Sequence, residues 1–187
     1  MLVETTQISD VKVIVPRRFC DSRGFFVEIY NQGRLEDHGL RFDFKQDNLS
    51  LSDAAGTIRG LHFQRPPFAQ NKLVSVLRGA IYDVAVDLRR GSPTYGRSVS
   101  VTLTARDGNQ LLVPVGFAHG FCTLVPDTLV FYKVTAHYSA DHDDGVFWAD
   151  PALDIPWPVG PAEAVLSDKD RRLPKLADVA DCFVYEA

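Results

Sequence analysis

Two histidines, a lysine, a tyrosine pair and one charged run are the side chains in this sequence whose settings suit proton transfer or anion binding. Arg59 and His62 stand three apart around Gly60 in the strand-like segment TIRGLHFQ. A single histidine in such a place is commonly no more than a hydrogen-bonded structural residue. Lys72 follows Gln70 and Asn71 and leads into the apolar run LVSVL, where a lysine at a strand edge could simply snorkel to water. His119 sits in the glycine-flanked apolar stretch PVGFAHGF, where a polar ring needs a partner or costs free energy. Tyr132 and Tyr138 are six apart, so in a regular strand both would aim at one face. The run LSDKDRR, Leu166 to Arg172, reads equally well as a solvated surface or as part of a site.

A metal centre is the first alternative to weigh. Histidine and carboxylate ligands in a β-sandwich would be expected as a His-x-His pair with a glutamate close behind. His62 has no second histidine nearby, and no glutamate falls between Gln64 and Arg78. His137 and His142 are five apart in a segment at a strand end, where convergence is not required. The spacing speaks against a catalytic metal. Cys20, Cys122 and Cys182 are odd in number, far apart and without a CxxC pair, so they read as reduced thiols.

Strands must position these residues, because most periodic segments alternate with a period of two. VKVIV (Val11 to Val15), GFFVEIY (Gly24 to Tyr30), LVSVL (Leu73 to Leu77), IYDVAVDL (Ile81 to Leu88), SVSVTL (Ser98 to Leu103) and LVFYKV (Leu129 to Val134) are rich in β-branched and aromatic residues. Arg78-Gly79 separates two such runs and reads as a hairpin turn. Gly91-Ser92-Pro93 and Asp107-Gly108-Asn109 are further breaks, and Pro114 and Gly116 interrupt another strand pair. Asn31 to His38 is the best short helix, with Gly39 as its stop. From Asp150 onward the chain is rich in proline and aspartate and should wrap the strands irregularly, with a short helix. Many short strands with frequent turns predict an all-β sandwich or barrel. No GxGxxG or GxxxxGKS is present, so neither a dinucleotide fold nor a P-loop is supported.

The 187 residues suit a single domain, 1–187, with a core over roughly 10–150 and a wrapping segment over 151–187. A net charge of -4 argues against a nucleic-acid partner. The N-terminal MLVETT has no basic segment leading into an apolar one, and no apolar run approaches the ~20 residues of a membrane span. A cytoplasmic location is the expectation.

Taken together the segments resemble the dTDP-4-dehydrorhamnose 3,5-epimerase family. The resemblance rests on RGLHFQ (Arg59 to Gln64), QNKLVSVLRGAIYDVAVDLRRGSPTYG (Gln70 to Gly96), VPVGFAHGF (Val113 to Phe121) and LSDKD (Leu166 to Asp170), and extends back to Arg23-Gly24-Phe25-Phe26. It implies a cupin-like jelly-roll sandwich with short peripheral helices, acting as a homodimer without cofactor or metal. It implies His62 as general base paired with Asp170, Tyr132 as general acid, and Lys72 beside the sugar carbonyl. Arg59 and His119 would line the sugar and phosphate pocket. Arg23, Phe26, Glu28, Gln46 and Asn48 would contact the nucleotide, some across the dimer interface, and Tyr138 would stack on thymine. Asp143 and Lys169 match less specific binding positions. The implied partner is a dTDP-linked 4-keto-6-deoxy sugar on the route to rhamnose for surface polysaccharide such as lipopolysaccharide.

Two rival readings stand beside this one. One is a family member that inverts only carbon 3 or only carbon 5 of a related nucleotide-linked 4-keto sugar. The other is a non-catalytic nucleotide-sugar binding module, which would be expected to have lost the base or the acid.

Overall fold

The structure is a computed structural model and describes residues 1–186. Its strands, in chain order, are β1 Leu2–Thr5, β2 Lys12–Val15, β3 Arg18–Asp21, β4 Gly24–Val27, β5 Gln46–Ser52, β6 Ile58–Gln64 and β7 Lys72–Arg78. They continue as β8 Ala80–Asp87, β9 Ser98–Thr104, β10 Gln110–Val113, β11 Phe117–Thr123, β12 Thr128–Val134 and β13 Asp143–Gly145. Two antiparallel sheets face each other. One has six strands in the order β1-β2-β10-β7-β12-β5 and the other five in the order β13-β6-β11-β8-β9. From β5 to β12 the chain crosses between sheets at every connection except β8 to β9, which is the winding of a jelly roll.

The crossing corrects one expectation from sequence. Arg78-Gly79 does not close a hairpin: β7 pairs with β10 and β12, while β8 pairs with β9 and β11 in the opposite sheet. A tight turn between two apolar strands satisfies the local rule whichever strands they later pair with. Gly79 is nonetheless required, because at φ +85° a Cβ there would lie 2.4 Å from the Thr128 hydroxyl.

Side chains alternate between three apolar layers. Val74, Ile81, Ala85, Phe117, Phe121 and Val130 fill the space between the sheets. The outer face of the six-stranded sheet is covered where Ile14, Leu73 and Leu112 meet Leu35, Phe42 and Phe44. The outer face of the five-stranded sheet, with Leu61, Val84 and Val86, is covered by Leu153, Leu176 and Phe183 of the C-terminal segment. β8 is therefore buried on both faces, which is why IYDVAVDL is almost uninterrupted in apolar character.

The single α-helix among the described residues, α1, is shorter than expected and spans Gln32–Glu36. Asn31 caps it by accepting the Arg34 N–H at 3.1 Å. Gly39, at φ +77°, ends the turn as expected. GFFVEIY gives only β4, which pairs with β3 in a separate two-stranded hairpin and leaves Phe25 and Phe26 exposed instead of half-buried. The C-terminal segment holds only single turns of 3-10 helix at Asp170–Arg172 and Leu176–Asp178. No helix among the described residues is long and apolar enough to cross a membrane.

Candidate active site

The site begins with an irregularity in β6. In a regular strand, residues three apart point to opposite faces. Yet His119 of β11 pairs with His62, while Phe121, two residues on, pairs with Arg59, three residues back. β6 thus carries one extra residue, and this bulge turns Arg59 and His62 to the same inner face. Gly60 makes it possible. At φ +124° a Cβ would stand 2.7 Å from both Gly120 Cα and the His119 carbonyl oxygen, so only glycine permits this approach of the two strands.

His62, His119 and Arg59 from the five-stranded sheet meet Lys72 and Tyr132 from the six-stranded sheet in a cleft of about 260 Å³. His62 Nε2 lies 2.5 Å from Asp170 Oδ1. Asp170 is buried, and the Ser167 hydroxyl donates to its other oxygen at 2.8 Å. Burial would raise the Asp170 carboxyl, but its bond to His62, the Ser167 hydroxyl and nearby Lys169 together hold it below the ordinary carboxylate range. The pairing leaves Nδ1 as the ring nitrogen of His62 available to a ligand.

Lys72 enters at the first position of β7, with Nζ 3.3 Å from the His62 carbonyl oxygen. Burial pushes its ammonium down to about 8, against the opposing pull of Asp143 and Asp83. Tyr132 is half-buried on β12. Burial raises its phenol, Arg59 works against this, and Asp143 adds to it, so the hydroxyl keeps its proton at neutral pH. Arg59 is held by the Ser52 hydroxyl at 3.1 Å and the Leu51 carbonyl at 2.9 Å. His119 Nε2 lies 2.7 Å from Asp83 Oδ1 in the buried floor of the cleft.

A second hollow of about 130 Å³ shares His62, Lys72 and Tyr132 and runs on to Gln46, Asn48, Tyr138 and Asp143. β12 ends at Val134, so strand regularity does not align the two tyrosines, yet both line this hollow. The Gln46 side chain accepts the Tyr138 N–H at 3.0 Å and donates to Asn48 at 2.8 Å. Asp143 accepts from the Tyr138 hydroxyl at 3.1 Å and from Lys169 at 2.5 Å. Tyr138 is 60% exposed, leaving a flat ring open to a planar ligand.

Three expected contacts lie elsewhere. Arg23 and Phe26 are exposed on the β3–β4 hairpin, where Arg23 pairs with Asp21 at 2.5 Å. Glu28 pairs with Arg34 at 2.9 Å. None of them lines the cleft or the hollow. Sequence reasoning missed Asp83, Ser50 and Ser167, all of which touch or line the site. Asp83 was detectable: its alternation with Ile81 and Ala85 places an acid on a core-facing side.

The sequence model of the family described as dTDP-4-dehydrorhamnose 3,5-epimerase matches residues 5–178. The dTDP-4-dehydrorhamnose 3,5-epimerase of Sinorhizobium fredii is 51% identical over 185 residues, covering 99% of this chain and 94% of its own. The crystal structure of the Bacillus anthracis enzyme of that name, with TDP and PPi bound, is 57% identical. It superposes with a TM-score of 0.90 over 93% of this chain and 98% of that one. A dTDP-6-deoxy-D-glucose-3,5-epimerase from Legionella pneumophila, in complex with dTDP-4-keto-L-rhamnose, is 40% identical with a TM-score of 0.94, covering 100% and 99%. With the sheets, the cleft and the full-length likeness in agreement, the chain belongs to the dTDP-4-dehydrorhamnose 3,5-epimerase family.

Proposed function

We propose that the chain inverts carbons 3 and 5 of dTDP-4-dehydro-6-deoxy-D-glucose to give dTDP-4-dehydro-L-rhamnose. The observation that carries this reading is that His62 and Tyr132 enter one cleft from opposed sheets. The carbonyl at carbon 4 acidifies the hydrogens on carbons 3 and 5. Inversion needs one group to remove a proton and another to deliver one to the opposite side of the ring.

In this reading His62 Nδ1 takes the proton, and Asp170 steadies the ring and the imidazolium that forms. The electron pair moves onto the carbonyl oxygen, where the Lys72 ammonium meets the enolate charge. The Tyr132 hydroxyl then protonates carbon from the other sheet. Solvent returns a proton to the tyrosinate and accepts one from His62, so configuration is the only net change. Arg59 and His119 line the sugar and phosphate pocket, His119 toward the sugar, and the Arg59 guanidinium suits phosphate oxygens. Gln46, Asn48, Asp143 and Lys169 form the nucleoside end, and Tyr138 supplies a stacking face.

The chain acts as one domain and as a homodimer in the cytoplasm. Exposed Leu49, Leu51 and Leu77 on the six-stranded sheet, and exposed Phe19, Phe25 and Phe26 on the hairpin, support a second copy. Arg23, Phe26 and Glu28 stand away from their own cleft, in keeping with service to a neighbour's.

The test is proton NMR of EDTA-treated protein with the 4-keto-6-deoxyglucose nucleotide in heavy water. Deuterium should enter at both carbons 3 and 5. Entry at one carbon only would make the chain a single-centre epimerase, and no entry would remove the catalytic reading. The pH dependence provides a separate check. Lys72 must be cationic to meet an enolate, and its depressed ammonium loses its charge above about 8. The kcat/KM profile, which reports the free enzyme, should therefore fall as pH rises through about 8. Lys72→Met should remove that limb and lower kcat by roughly 10²–10³-fold. A wild-type profile flat to high pH would show that the ammonium is not needed.

A further inference from the structure

Two aspartates lie four residues apart on the inward face of β8, and their surroundings differ sharply. Asp87 is saturated: it accepts from the Arg89 backbone N–H and guanidinium and from the hydroxyls of Ser92 and Thr94. Those bonds fix the loop after β8, a structural task. Asp83 is fully buried, and the only hydrogen bond of its side chain among the described residues is the 2.7 Å contact with His119. Its second oxygen, Oδ2, is buried with no partner among them. A half-satisfied carboxylate in a core costs stability, and a buried polar pair such as Asp83 with His119 could commonly be replaced as a whole by apolar residues of similar size without loss. The acid therefore serves His119, and the sandwich has no need of the pair as such.

The ladder shows what the acid does reach. Asp83 pairs directly with Phe121, and His119 with Ala85, so the two polar side chains are diagonal neighbours on one inner face. Lys72 approaches from the facing sheet, and the Asp83 charge acts on it. All the polar interactions of Asp83 thus point at groups lining the cleft.

We propose that Asp83 is a positioning residue of the epimerisation, accepting the Nε2–H of His119 and so presenting that ring's Nδ1 to the sugar. The inference rests on the epimerase reading above. His119 is the residue that touches substrate, and Asp83 acts only through it. Without the carboxylate the ring can turn or change tautomer, and the ligand then meets the wrong nitrogen.

The test is a double-mutant cycle of Asp83→Asn and His119→Gln, read in kcat and in dTDP affinity. Asp83→Asn alone should lower kcat on the order of 10²-fold, the scale at which such orienting carboxylates act. Affinity for dTDP should stay within about twofold. In the His119→Gln background the same change should cost less than about twofold, because coupled residues are not additive. Losses that multiply across the two backgrounds, or an Asp83→Asn variant as active as wild type, would overturn the proposal. Should Asp83→Asn not fold, nitrogen-15 spectra of the His119 ring in the wild-type chain decide instead. A protonated Nε2 supports the assignment, and a bare Nε2 overturns it. Proton NMR in heavy water and these spectra together separate the two claims: a wild-type chain that exchanges no deuterium sinks the epimerase reading, while the ring nitrogens still report on Asp83.

Discussion

Replacing His62 with alanine should lower turnover by roughly 10²–10⁴-fold, the range for losing a general base, and should stop deuterium entry at carbon 3. Two imidazoles in the cleft are each paired through Nε2 with a buried carboxylate, His62 with Asp170 and His119 with Asp83, and of the two rings His62 is the more open to a ligand. The fold should tolerate the change. Asp170 keeps the Ser167 hydroxyl at 2.8 Å and accepts nothing else that the substitution removes beyond the ring. His62→Asn, which restores a donor near Asp170, is the companion variant, and circular dichroism establishes that both are folded. Near-normal exchange in a folded His62→Ala protein would take the base role away from this residue.

The second large effect is expected at Tyr132, and it should take a different form. Tyr132→Phe removes one oxygen and keeps the ring that packs beside the core of the sandwich. His62 can still remove a proton and return a deuteron to the same side, so exchange into the substrate should persist. Formation of inverted product should fall by roughly 10²–10⁴-fold, because delivery from the other sheet is lost. Exchange without inversion is the signature to seek by NMR. Normal product formation would mean that another group is the acid, and loss of exchange to the same degree as in His62→Ala would mean that Tyr132 also serves abstraction.

Legibility in the sequence followed what each face of a strand touches. β9 and β12 could be read because their apolar residues face the core at alternating positions, and β8 because it is apolar on both faces. β5 could not, because its polarity is inverted: Gln46, Asn48 and Ser50 point inward to the cleft and hollow, while Leu49 and Leu51 are exposed. A strand that lines a polar site does not show the pattern of one that lines a core. The hairpin at Arg78-Gly79 failed for another reason, since local turn chemistry does not say which distant strand will pair. The candidate site was named through resemblance more than through periodicity. Spacing alone would have set Arg59 and His62 on opposite faces, and only the bulge at Gly60 brings them together. Arg23, Phe26 and Glu28 entered through resemblance alone, and they do not line the cleft of their own chain.

His62 and Tyr132, the base and acid of the proposed mechanism, belong to different sheets. The gap between them is set by the thickness of the sandwich, roughly 10 Å between facing sheets, and hence by the girth of Val74, Ala85, Phe121 and Val130 where they interlock. The hydrophobic core behaves as a spacer in a caliper whose jaws are His62 and Tyr132. One methylene more or less in that spacer moves a jaw, and an error of about 1 Å can cost on the order of 10²-fold in rate. Residues that never meet the substrate thereby acquire a say in turnover, and the same packing that stabilises the fold also calibrates its chemistry.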